Sequence, residues 1–115
     1  MIKFVVVYYR VDDEAALEHF YSATHLPLLE QLPGLVKLEV SRVTGQPTGQ
    51  SRFHLMVEAY FNNENALRQA LISPVGLQMM DALRPWADAK LLIWYYADSF
   101  DEWKNQDAGD EPQTD

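Results

Sequence analysis

Two histidines and one glutamate are the groups in this sequence best placed to move protons near neutral pH. His25 stands in Ser22-Ala23-Thr24-His25-Leu26-Pro27, two residues ahead of a proline. An imidazole titrates close to working pH and can act as acid, base or hydrogen-bonding partner. Its competing role is structural: capping the carbonyls that end a helix, or bonding the turn that follows. Glu58 stands in His54-Leu55-Met56-Val57-Glu58-Ala59-Tyr60. Strand alternation there sets His54, Met56, Glu58 and Tyr60 on one side. An unpaired carboxylate among such neighbours has a raised pKa and suits proton shuttling. The competing role is an ion pair with Lys3, Arg10, Lys37 or Lys90. His54 and Tyr60 can orient a carbonyl or a phenol, whereas Tyr8, Met56 and Trp94 read as pocket walls. Asp81 reads as a surface or capping residue.

Other chemistries lack their signatures. Cysteine is absent, so there is no thiolate nucleophile, disulfide or cysteine-bound metal. His19 and His25 are six apart and point to different sides of a helix, and no His-x-x-x-His pair or carboxylate cluster occurs. There is no phosphate-binding glycine loop and no Gly-x-Ser-x-Gly nucleophile. Metal-free chemistry without a signature-bearing cofactor is the expectation.

The elements that must position these groups follow from periodicity. Residues 2–10 form a β-branched and aromatic run, read as a strand covered on both faces. Asp12 or Asp13 offers a cap for a helix with Leu17, Phe20, Tyr21, Thr24 and Leu28 on its buried stripe. Leu26 precedes a proline, which disfavours helical geometry, so the helix is expected to break or kink near His25 and to bring the imidazole to the rim. Pro27 then opens a short turn of helix. Pro33-Gly34 is a turn. Strands are read over 35–44 and 52–61, helical segments over 62–73 and 75–83, and a last strand over 89–97. This β-α-β-β-α-β order is the ferredoxin-like arrangement, an α+β fold with a four-stranded antiparallel sheet.

The chain has 115 residues, 48% apolar and 12% aromatic, which predicts one domain with a filled core, over residues 1–98. Residues 1–7 resemble a signal core but are too short, with Arg10 and Asp12 close behind. No run approaches the ~20 apolar residues that span a bilayer. The net charge is −8, concentrated in residues 99–115, where six acids face Lys104 alone. That stretch is expected to be a disordered tail, with Phe100 and Trp103 docking on a neighbouring body. An acidic chain without a basic patch is not a nucleic-acid binder. The helices cover one face of such a sheet. The other would leave aromatics, Met and Val in water, so two copies are expected to pack sheet to sheet as a homodimer.

Three stretches carry a resemblance. Residues 17–28, Leu-Glu-His-Phe-Tyr-Ser-Ala-Thr-His-Leu-Pro-Leu, are similar to a helix with two aromatics followed by a Thr-His-x-Pro-Leu box. Pro33-Gly34-Leu35 opens the second strand, and Val57-Glu58-Ala59-Tyr60-Phe61 runs into the next helix. Together they resemble the EthD family of the dimeric α/β barrel superfamily, over residues 2–97. Tyr21 stands where tryptophan is common, and Ala23 where glutamate is common. The resemblance implies a small dimeric protein tied to degradation or modification of organic molecules. Superfamily relatives include lactone isomerases, polyketide-ring cyclases and cofactor-free monooxygenases.

The resulting expectation is a cytoplasmic homodimer whose pocket holds an aromatic or lactone-like metabolite. His25 and Glu58 are its candidate catalytic groups; Tyr8, His54, Met56, Tyr60 and Trp94 contact the substrate. The rival is a non-catalytic ligand-binding or accessory dimer of an oxidative pathway. An RNA-binding module of the same topology is disfavoured by the acidic charge and by Glu58.

Overall fold

In a computed structural model of the chain, residues 1–103 are described. The part of the acidic segment from 104 onward lies outside the described residues. Strand β1 spans Ile2–Tyr9, helix α1 Glu14–Phe20, and α2 Leu26–Glu30. Strand β2 spans Lys37–Arg42 and β3 Phe53–Phe61; helices α3 and α4 span Glu64–Ile72 and Pro74–Asp88, and β4 spans Leu92–Asp98. The strands form one antiparallel sheet in the order β2-β3-β1-β4, the ferredoxin-like arrangement.

Side-chain oxygens set where the helices begin. Asp13 accepts from the Ala16 N–H at 3.0 Å, Asn63 from Ala66 at 2.8 Å, and Ser73 from Gly76 at 3.1 Å. Pro74 marks the break between the two helical segments and sits in the first turn of α4, where its missing N–H costs nothing. Gly34 turns the chain into β2 at φ +77°, a backbone state that favours glycine.

Two prolines act differently from the sequence expectation. The helix does not break at His25. Residues Tyr21–His25 form a π-helical turn that joins α1 to α2, and the backbone stays right-handed helical from Phe20 through Leu26. The Leu26 N–H reaches the Tyr21 carbonyl, five residues back. The wider turn inserts one residue ahead of Pro27, so the proline arrives where a new helical turn starts. At the other site α4 does not stop at 83 but runs on through Pro85 to Asp88. It stops at Lys90, which takes φ +59°. There the Leu91 N–H bonds the Trp86 carbonyl at 2.8 Å and the Lys90 N–H bonds Ala87 at 2.9 Å, a Schellman ending.

The core lies between the sheet and the helices. Phe4, Val6 and Tyr8 of β1 and Leu55, Val57, Ala59 and Phe61 of β3 meet Leu17, Tyr21, Leu29, Leu67, Met79 and Leu83. The opposite, open face carries Val5, Val7, Met56, Glu58, Tyr60, Ile93 and Tyr95. Tyr95 and Ile93 there remain 46% and 38% exposed. No helix among the described residues is long and apolar enough to cross a membrane.

Candidate functional site

The candidate residues divide between the two faces of the sheet. Tyr8, His25 and Trp94 belong to the helix side; Met56, Glu58 and Tyr60 belong to the open face. The expectation of a single pocket had grouped them, because β1 is apolar on both sides and alternation does not say which side the helices cover.

On the helix side, the π-helical turn swings His25 inward over the end of β1. The imidazole is 1% exposed and Tyr8 is fully buried, so His25 lies in the interior and not at a rim. Its Nδ1 is 2.8 Å from the Tyr8 hydroxyl, a side-chain partner rather than a helix-ending carbonyl. Its Nε2 is buried with no hydrogen-bond partner. An unpaired buried polar atom costs about 1–3 kcal/mol, and among the described residues this nitrogen is the buried side-chain N or O atom left without a partner. Burial drives the His25 pKa down to about 3 and pushes the Tyr8 phenol well up. The imidazole is therefore neutral at neutral pH.

Aromatic rings close the surroundings. Tyr21 stands perpendicular to the His25 ring at 5.7 Å. Trp86 meets Tyr8 edge-on at 5.6 Å and stacks on Phe20 at 4.9 Å. Three surface clefts lie elsewhere. Two flank Trp94: one of about 320 Å³ with Phe4, Met80 and Tyr96, and one of about 470 Å³ with Ala87, Lys90 and Leu92. The third, about 220 Å³, lies between α3 and the sheet end at Ile2 and Tyr96.

On the open face Glu58 is paired with Lys3, one of the partners expected for it. Tyr60 donates its hydroxyl to Glu39 at 2.9 Å, and its ring lies under the ammonium groups of Lys3 and Lys37, 5.4 and 4.8 Å from its centroid. The Glu58 carboxylate is thus engaged.

His54 leaves both groups. The register shifts between Tyr8 and Tyr9: Leu55 pairs with Tyr8 but Phe53 with Tyr9, so His54 is an extra residue on β3. This bulge turns His54 toward α1, where its Nε2 is 2.7 Å from Glu18. Arg42 grips the same Glu18 with two hydrogen bonds, at 3.1 and 2.7 Å. Phe53, which unbroken alternation would put on the same side as Leu55, instead stacks on Tyr9 at 5.1 Å. Arg42, foremost, and then His54 hold the Glu18 carboxyl down at about 2. The Glu18–His54–Arg42 cluster had no motif in the sequence; only the bulge creates it. Asp81 is exposed, as a surface role requires. Among the described residues no group of three or more His, Cys, Asp or Glu is placed to hold a metal ion.

The sheet order and the single helical layer define a ferredoxin-like α+β domain. No family model matches the chain. A crystal structure of an EthD family protein from Bacillus halodurans aligns over 87% of this chain and 99% of its own, at 32% identity and a TM-score of 0.81. The chain belongs to the EthD family. An uncharacterised 11.0 kDa protein from the thcB–thcC intergenic region of Rhodococcus erythropolis is 26% identical over 76 residues, 66% of this chain and 74% of that protein. Two more distant structures share the fold. One is a dimeric ferredoxin-like protein of unknown function from Jannaschia (16% identity, 86% of this chain and all of that one, TM-score 0.61). The other is SnoaB, a cofactor-independent oxygenase from Streptomyces nogalater (18% identity, 90% and 94% coverage, TM-score 0.59).

Proposed function

We propose that the protein is a cytoplasmic homodimeric enzyme that acts on an aromatic or lactone-like organic compound in a degradative or biosynthetic pathway. Its chemistry is metal-free, by proton transfer or cofactor-free oxidation. The observation that carries this reading is the state of His25: one ring nitrogen is held by Tyr8 and the other is buried without a partner. A structural histidine in a core normally has both nitrogens satisfied, whereas a substrate-facing one keeps a nitrogen in reserve. The fold of a cofactor-independent oxygenase supports the chemistry, and a dimeric relative supports the assembly.

His25 and Glu58 act on different faces and cannot touch one small molecule. We assign the substrate to His25, with Tyr8 beside it; Trp94 lines two clefts that do not include either residue. Glu58, Met56 and Tyr60 go to the face that the second copy covers, and His54 to the cluster with Glu18. A second reading, a non-catalytic ligand-binding or accessory dimer, is favoured by one feature: aromatic rings enclose His25, and the three clefts are lined by other residues.

Turnover separates the two. Phenolic and lactone compounds are screened aerobically with wild type, His25→Gln and Glu58→Gln. The enzymatic reading expects at least a 100-fold loss of kcat/KM in His25→Gln and near-normal rates in Glu58→Gln. Equal turnover by wild type and His25→Gln favours the accessory role.

A further inference from the structure

We infer that Tyr8 is a positioning residue that fixes His25 in the Nε2–H tautomer, so that the site offers its substrate a hydrogen-bond donor and selects a carbonyl or phenolic oxygen. The inference rests on the assignment of the substrate to His25 and sharpens it.

A neutral imidazole has one proton for two nitrogens. If Tyr8 donates its O–H to Nδ1, the proton sits on Nε2 and one polar atom, the Nε2–H, is left without a partner. If Nδ1 instead donates to the tyrosine oxygen, two groups are stranded. The Tyr8 O–H then needs an acceptor, and His25 is its one hydrogen-bond partner among the described residues. The bare Nε2 lone pair would be stranded as well. With both residues out of water, the first arrangement leaves fewer unmet groups and prevails. Desolvation of the imidazolium keeps the ring neutral, so no second proton blurs the distinction.

A donor in an apolar enclosure acts on oxygen. An N–H dipole there is worth more than in water, and it favours an oxygen on which negative charge develops, such as an enolate or phenolate. A neutral imidazole polarises a carbonyl in the same way. The same N–H repels an ammonium group. Phenols, ketones, esters and lactones fit the site, and amines do not.

Long-range proton–nitrogen NMR of 15N-labelled protein distinguishes a protonated ring nitrogen from a bare one, with His25 assigned by its absence in His25→Gln. Wild type should show Nε2 protonated and Nδ1 bare from pH 6 to 8. Tyr8→Phe, which keeps the ring, should populate both tautomers. Titration with phenol should move the Nε2–H signal, and benzylammonium should leave it in place. A proton on Nδ1 in wild type, a tautomer ratio unchanged by Tyr8→Phe, or equal responses to the two probes would overturn the inference. These outcomes are independent of turnover. An active His25→Gln removes His25 from the reaction and leaves the tautomer as measured.

Discussion

Glu39 and Glu58 are direct cross-strand partners on β2 and β3, two carboxylates side by side on the open face. Like charges opposite one another destabilise a sheet. The structure offsets this by giving each a separate partner, Lys3 for Glu58 and the Tyr60 hydroxyl for Glu39. Lys3→Met removes the cation and leaves Glu58 facing Glu39. The expected loss is about 1–3 kcal/mol, between the values of exposed and buried pairs. Glu39→Gln in the same background should restore part of it, a coupling that urea unfolding of the four-variant cycle measures. The Glu58 hydrogen bond raises the Lys3 pKa above its usual 10.5. Its stabilisation is therefore complete below about pH 10.5 and is lost as pH climbs through the raised value.

His25 sets the opposite sign at the acid end. Its folded pKa, about 3, lies below the usual 6.5. Between those values the unfolded chain binds a proton that the folded one refuses, so stability is full above 6.5 and falls with acid down to about 3. One such group contributes a slope of about 1.4 kcal/mol per pH unit within the window. His25→Gln should flatten the urea-derived stability profile between pH 6 and 4 by about that slope. An unaltered profile would show that the imidazole is not desolvated in solution.

Glu18 titrates lower still, at about 2 against an ordinary 4.5. Its contribution is present above 4.5 and lost as pH drops through about 2. Carboxyl NMR titration should find this low midpoint. Arg42→Leu should raise it more than His54→Gln does, because the Arg42 hydrogen bonds are the larger cause.

The element order was legible because β3 carries a period-two pattern, β1 a continuous β-branched and aromatic run, and Asp13 marks a helix start by its chemistry. What escaped was geometry that a single residue controls. One extra residue at the β3 bulge moved Phe53 and His54 to opposite sides from those that alternation assigns. One extra residue in the π-helical turn carried the helix through Pro27 and turned His25 inward. Glu58 and Tyr8 looked like neighbours because β1 is apolar on both faces, so alternation alone could not separate them.

Gly76 shows a position where propensity and packing disagree. Alanine in a helix is favoured over glycine by about 1 kcal/mol. A Cβ at Gly76 would lie 2.1 Å from the Ala70 carbonyl oxygen and 2.8 Å from the Leu71 backbone. These are main-chain atoms of the preceding helix and cannot swing aside, so α3 and α4 must separate. Overpacking of this kind costs about 1–3 kcal/mol, and here the clash should win. Gly76→Ala is expected to lower the urea midpoint, with Gln69→Gly, at an exposed position of α3, as a variant losing helix propensity alone.

The open face supplies the test of assembly. Val5 and Val7 are already buried within the chain, but Tyr95 and Ile93 project from β4 beside them, and a second copy stacked on this sheet would cover these two. A stable interface needs about 800 Å² from each partner, and aromatic side chains near its centre carry much of the energy. Tyr95→Glu places a charge in that interface while leaving the helix-side core untouched. Wild type should sediment as a dimer at micromolar concentration and Tyr95→Glu as a monomer with the same far-ultraviolet dichroism. The monomer should keep the Tyr8–His25 hydrogen bond, since both residues belong to one chain and face away from the partner. A wild type that sediments as a monomer would leave Tyr95 in water and remove the sheet-to-sheet dimer, with the histidine site still standing on its own evidence.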